Sequence, residues 1–149
     1  MDDSQHSFSR GEHYLVAAGF IHSQGLALVA RRALSKSIAP GQLHLPGGHA
    51  EGREQPAAAL RREIAEEFGV QVQVGDPLHV FAYDVSGHYT IGIVFAAALI
   101  GPRSALHLNP SDHTEILWVD RDALDELFPD KANHNYVGAI KGFAYLSDH

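Results

Sequence analysis

The chain contains no cysteine. Disulfides are therefore excluded, and the absence suits a reducing compartment, so a cytoplasmic protein is expected. Positive charge is also scarce: 11 Lys and Arg stand against 18 Asp and Glu, for a net charge of −7. Long nucleic acids are bound largely by neutralising their phosphates with cationic side chains, so this composition speaks against such a partner. Long apolar runs are missing as well. No window approaches the roughly 20 apolar residues that cross a bilayer, and the opening MDDSQHSFSR carries no apolar signal region. The 11 histidines are scattered, with neither an H-E-x-x-H motif nor a cysteine partner, which argues against a zinc site. A G-x-x-x-x-G-K-[ST] loop and a G-x-S-x-G elbow are both absent, which removes the P-loop and serine-hydrolase readings. Internal repeats and low-complexity stretches are lacking too. What remains is 149 residues with 45 % hydrophobic and 19 % charged content, the profile of one globular domain spanning 1–149. Residues 1–12 are expected to form a flexible N-terminal segment.

The most specific feature present is the run GHAEGREQPAAALRREIAEEFGV, Gly48 to Val70. Pro56 suits a first helical position, where no N–H is needed and φ is already set. Ala57 to Arg62 are strong helix formers, and Gly69 suits the left-handed residue that closes a helix. Ala57, Leu60, Ile64 and Phe68 recur at helical spacing and predict a core-facing stripe. Glu63, Glu66 and Glu67 then fall at i, i+3 and i+4, on one face about a quarter-turn from that stripe. Like charges at this spacing oppose the helix. A hard divalent cation would compensate them, since Mg2+ takes its oxygen ligands from carboxylates and substrate phosphates. A metal-dependent enzyme of phosphate chemistry is the reading that follows.

With Glu54 and Arg62 at their fixed offsets, the run matches G-x5-E-x7-R-E-U-x-E-E-x-G-U (U aliphatic) at every specified position, a pattern expected by chance on the order of once in 10⁹ starts. The chain thus resembles the Nudix, or MutT-like, hydrolases, and Leu45-Pro46-Gly47 is similar to the usual lead-in. One departure is that Gly52 and Arg53 stand where many members place a glycine directly before the first box glutamate. The resemblance implies an α/β fold, the Nudix α/β/α sandwich with a mixed sheet between helices. It implies Mg2+, with Mn2+ as substitute, held by Glu63, Glu66, Glu67 and the backbone carbonyl of Gly48. It implies catalytic roles for Glu63, Glu66 and Glu67, with Glu63 or Glu66 favoured as general base. Glu54 and Arg62 would pair with each other and support the site from behind. Glu115, three residues before Trp118, stands where many relatives carry an acid outside the box and is an additional candidate.

The resemblance further implies hydrolysis of a nucleoside diphosphate linked to another group. Leu45 to Glu51 and His88-Tyr89-Thr90-Ile91 are similar to members that cleave nucleoside triphosphates to monophosphate and pyrophosphate, the first expectation here. ADP-ribose or another nucleoside-diphosphate derivative is the alternative, although Asp84 to His88 lacks the proline that ADP-ribose enzymes often carry. A non-catalytic nucleotide-binding regulator is a second alternative, disfavoured by the complete box. An isomerase of isopentenyl diphosphate would need the cysteine this chain lacks. The expected partner is a small nucleotide, and a homodimer is possible. Outside the box, strands are predicted at Tyr14–Ile21 and Leu26–Ala30 around a His22–Gly25 turn, and at Leu43–Leu45. Further strands are predicted at Val72–Val74 and Leu78–Val85, broken by Gly75-Asp76-Pro77, then at Tyr89–Ile100 and Glu115–Val119. Asp120 is expected to cap a short helix reaching Phe128, and Tyr136–Leu146 to form a terminal helix. Among Phe20, Phe81, Tyr83, Tyr89 and Trp118, most are expected in the core, with one or two able to stack on a base.

Overall fold

The computed structural model describes residues 13–149, and the flexible segment expected at 1–12 lies outside them. The elements run β1 (His13–Ser23), β2 (Leu26–Arg32), β3 (Leu43–His44), β4 (Gly47–His49), α1 (Pro56–Phe68), β5 (Gln71–Val85), β6 (His88–Ile100), a 3₁₀ turn (Arg103–Ala105), β7 (His113–Val119), α2 (Arg121–Leu127) and α3 (His134–Asp148). Seven strands form one mixed sheet in the order β3-β2-β1-β6-β5, with β4 paired to β1 and β7 to β2. β1 and β6 run parallel, in continuous register from His13↔Tyr89 to His22↔Ala98. The other pairings are antiparallel.

Strand alternation divides the core into two layers. Leu28 and Ala30 of β2 join Ala17, Leu60, Ile64 and Phe68 beneath α1. Ala27 and Val29 join Phe20, Val94, Leu124 and Ala139 beneath α2 and α3 on the opposite face. The result is an α/β/α sandwich. On α1 the buried residues are Ala59, Leu60, Ile64 and Phe68. Ala57, expected in that stripe, is only half-buried, and Ala59 takes its place.

Several elements differ from the sequence expectation. Gly75-Asp76-Pro77 does not end a strand; β5 continues through it with register shifts on both sides of Pro77. β5 lies at the sheet edge, where a residue without an N–H and a bulge are both tolerated. β4 was not expected at all. It is three residues long and pairs Gly47 and Gly48 with Ala18 and Ala17. At Gly47 a Cβ would sit 2.6 Å from the Ala18 Cα, so only glycine lets the two backbones meet. β7 starts at His113 rather than Glu115, and α3 at His134 rather than Tyr136. The Asn133 side chain caps α3 by accepting from the Asn135 N–H, a signal legible in the sequence.

Candidate functional site

α1 is fixed at both ends. Pro56 stands in its first turn, and Gly69 closes it at φ 70° by donating its N–H to the Ala65 carbonyl at 3.0 Å. This rigid element places the three glutamates differently. Glu63 and Glu67 are largely buried, while Glu66 is more than half exposed on the rim. Glu63 lies against Gly48: a Cβ there would come within 2.6 Å of Glu63 Oε1. Glu67 is pushed up to about 9 by burial, then by a hydrogen bond and the charge of the Glu63 carboxyl and by the charge of Asp112, with Lys36 opposing. Two carboxylates thus press on one another beneath a glycine backbone.

Arg62 ties the preceding loop to the helix. Its Nε donates to Glu54 Oε2 at 2.9 Å and its Nη2 to Glu54 Oε1 at 3.0 Å, a forked pair. Nη2 also donates to the His49 carbonyl at 2.9 Å, and Nη1 to Glu63 Oε2 at 3.1 Å and Glu66 Oε1 at 3.2 Å. Arg62's hydrogen bonds, then the Glu51 backbone, hold the Glu54 carboxyl below its usual range.

Glu115 is placed elsewhere. It accepts from Arg31 Nε at 2.9 Å, and the β2–β7 register puts it with Leu117 and Val119 on the sheet face away from α1. The residue that β7 brings to the glutamates is His113, which the sequence reading passed over. A bulge opposite Arg31 and Arg32 rotates it toward α1. Its Nε2 lies 3.8 Å from Glu67 Oε1 and 2.9 Å from His44 Nε2. The ring stacks on Phe68 and on His44, both at 5.1 Å.

Beside Glu67 opens a polar cavity of about 30 Å³, lined by Arg32, Lys36, His44, Gly47, Asp112 and His113 as well. That volume suits a water or two, or the tip of a phosphoryl group, and not a whole nucleotide. Arg32 Nε donates to the Ile38 carbonyl at 2.7 Å, and Lys36 Nζ pairs with Asp112 Oδ1 at 2.9 Å. Burial, then His113 and Arg32, push His44 down to about 3, with a Leu45 backbone bond opposing. Burial also lowers His113, and Arg32 and Lys36 add to the effect while Asp112 opposes it. Both rings are therefore neutral near pH 7. The larger cavity, about 310 Å³ between the β1–β2 turn and α3, has Arg121 as its one ionisable lining residue and stands apart from the glutamates.

The donors fit a hard divalent cation. No three His, Cys, Asp or Glu side chains form a ready-made metal cage among the described residues. Mg2+ does not require one: it is commonly held by one or two carboxylates, with water and substrate phosphates completing the octahedron. Glu63 and Glu67 supply two such carboxylates, and their mutual repulsion is what a cation would relieve.

Known proteins resemble this chain in sequence and in fold. The chain is 29 % identical over 143 residues to a MutT-like protein of Streptomyces ambofaciens, covering 95 % of this chain and 86 % of that one. It is 28 % identical over 123 residues to the nucleoside triphosphatase NudI of an Enterobacter strain, covering 75 % and 85 %. Its fold superposes on a MutT protein of Methanosarcina mazei at TM-score 0.68, 21 % identity, 91 % and 93 % coverage. A Caenorhabditis elegans Ap4A hydrolase superposes at TM-score 0.72, 17 % identity, 92 % and 98 % coverage. Residues 13–139 match the NUDIX domain model, and the chain belongs to the Nudix hydrolases, enzymes that act on phosphoric anhydride bonds.

Proposed function

We propose that this protein is a Mg2+-dependent pyrophosphohydrolase, with Mn2+ able to substitute, that cleaves nucleoside triphosphates to monophosphate and pyrophosphate in the cytoplasm. The observation that carries the reading is the contact of the Glu63 and Glu67 carboxyls, with Glu63 against Gly48 and Glu67 lining one polar cavity together with Arg32 and Lys36. Carboxylates for a cation on one side and fixed positive charge on the other suit a polyphosphate, whose hydrolysis is limited by charge on phosphoryl oxygens. The triphosphate preference draws on the similarity to the NudI protein, whose name is that of a nucleoside triphosphatase.

In this mechanism Glu63, Glu67 and the Gly48 carbonyl would hold the cation, with Glu66 on the rim as a further ligand. A bound divalent cation would supply charge neutralisation and a more acidic water. Arg32 and Lys36 orient phosphoryl oxygens, and Arg62 keeps the Glu51–Glu54 loop against the helix. The attacking water forms a bond to phosphorus while the bridging P–O bond breaks. Its proton passes to a glutamate of α1, for which Glu63 or Glu66 is the first choice. Among the described residues no helix is long and apolar enough to cross a membrane.

The test is product release from a panel of canonical and oxidised nucleoside triphosphates, ADP-ribose, diadenosine polyphosphates and NADH, with Mg2+ or with EDTA. Triphosphates should turn over fastest, only with metal, and Glu67→Gln should lose turnover by orders of magnitude while remaining folded. Faster cleavage of ADP-ribose would replace the substrate assignment. Tight nucleotide binding without turnover would replace the enzymatic one.

A further inference from the structure

We propose that Asp112 is a positioning residue for Lys36: its carboxylate holds the Lys36 ammonium at the polar cavity, in place to meet a phosphoryl oxygen. The inference rests on the reading of Lys36 as a group that orients phosphate.

The contact itself comes first. Lys36 Nζ donates to Asp112 Oδ1 at 2.9 Å, and the two side chains are 34 % and 26 % exposed. Both residues line the cavity that Glu67 and Arg32 share. The backbone that carries Asp112 is fixed. The Asn109 carbonyl accepts from the N–H groups of Asp112 and His113, each at 2.9 Å, and the Asn109 side chain accepts from Ser111. Lys36 stands on the β2–β3 loop at the end of a flexible four-carbon stem. The fixed member of the pair is therefore the acid, and the movable one is the ammonium.

An ammonium carries three N–H donors. Asp112 takes one, which leaves two for phosphoryl oxygens. A lysine held in advance loses less freedom when the phosphate arrives than one that must first be ordered.

A purely structural explanation would make the pair a staple between the β2–β3 loop and the start of β7. Backbone bonds already tie the loop down. The Ala33 N–H donates to the Asp112 carbonyl at 2.9 Å, the Arg32 N–H to the Gln42 carbonyl at 2.9 Å, and the Gly41 N–H to the Arg32 carbonyl at 3.0 Å. Arg32 Nε adds a bond to the Ile38 carbonyl at 2.7 Å. A staple would also have no need of a carboxylate at the cavity, where the charge of Asp112 acts against that of Glu67. The lysine it holds accounts for an acid in that place.

The experiment is steady-state kinetics of the full chain on the fastest-cleaved nucleotide of the panel, with Mn2+ titration by calorimetry and thermal melts. The proteins are wild type, Asp112→Ala, Lys36→Met and the double variant. Asp112→Ala keeps the carbonyl that binds Ala33 and removes only the carboxylate. It should raise KM about 3- to 10-fold, the effect of ordering one long side chain on binding. Its kcat and Mn2+ affinity should stay within about threefold of wild type, because neither the cation nor the reacting atoms are touched. Lys36→Met should raise KM at least as much, and the double variant should match Lys36→Met, since Asp112 acts only through that ammonium. A KM in Asp112→Ala below or within about threefold of wild type overturns the proposal. So does a further rise when Asp112→Ala is added to Lys36→Met, and so does a loss of Mn2+ affinity of about tenfold or more, which would make Asp112 a metal ligand. If Asp112→Ala does not fold, Asp112→Ser replaces it with the same expectations. Lys36→Met separates the two levels. Unchanged KM there sinks the phosphate reading of Lys36 and this inference with it, whereas raised KM there with unchanged KM in Asp112→Ala sinks the positioning role alone.

Discussion

Single atoms decide the chemistry of the glutamate pair. Gly48 is glycine because the volume of a methyl group there is occupied by the Glu63 carboxyl. Gly48→Ala should therefore displace Glu63 from Glu67, destabilise the fold by about 1–3 kcal/mol through overpacking, and lower turnover at least tenfold by the kinetic comparison that follows from a disturbed ligand. Melting curves and kcat measured together check both parts, and wild-type kcat would remove Gly48 from the site. Arg62 is arginine because its fork reaches Glu54, Glu63, Glu66 and the His49 carbonyl at once. Lysine keeps the charge but is a point donor. Arg62→Lys should leave the protein folded while kcat falls about 10- to 100-fold, as for other groups that orient metal ligands. A lysine variant with normal kcat would show that charge alone suffices.

At the scale of elements, α1 owes its length to its two ends. Gly69 adopts φ 70°, and a Cβ there would also meet the His107 ring at 2.9 Å. Gly69→Ala should cost about 1–2 kcal/mol, visible as a fall in melting temperature of a few degrees, while kcat stays within about twofold because the glutamates all lie inside the helix, before its closing residue. A larger loss of kcat would mean that the helix end moves the carboxylates. These end signals are local, which is why α1, the turn at His22–Gly25 and the Asp120 cap could be read from the sequence. Asp120 does accept from the Ala123 N–H, at 2.9 Å. What could not be read depends on distant partners. Gly47-Gly48-His49 has no strand propensity of its own and becomes β4 only against Ala17 and Ala18. Gly75-Asp76-Pro77 carries the local chemistry of a break, overridden by continued pairing with β6. For the site, the shared face of the glutamates follows from spacing and the Glu54–Arg62 pair from the family resemblance, but the facing of His113 and Glu115 follows from neither. A bulge set by β2, some 80 residues earlier, decides which of the two meets α1.

Over the whole molecule, titration links the site to stability. His44 stays neutral in the folded chain down to about pH 3, whereas an unfolded chain protonates it near 6.5. Between those values the unfolded state binds the extra proton, so the contribution is complete above pH 6.5 and is lost as pH falls, by about 1.4 kcal/mol per pH unit. Glu67, raised by its neighbours, acts in the opposite sense from pH 4.5 upward, so a comparison of variants isolates the histidine. Urea unfolding of metal-free protein at pH 6 and pH 5 should show a smaller loss of stability in His44→Gln than in wild type. Equal slopes would mean that His44 is protonated in the folded state.

The parallel pairing of β1 with β6 has a consequence for biosynthesis. β1 leaves a ribosome well before its central neighbour, which is encoded about 75 residues later. At roughly 5–20 residues per second that is an interval of about 4–15 seconds. Over that time the apolar stretch Val16–Ile21 has only the β2 hairpin and the arriving α1 to shield it. The nascent chain thus passes through a window in which a holdase would bind it, and that window closes only when β6 has emerged and the sheet can zip around its first strand.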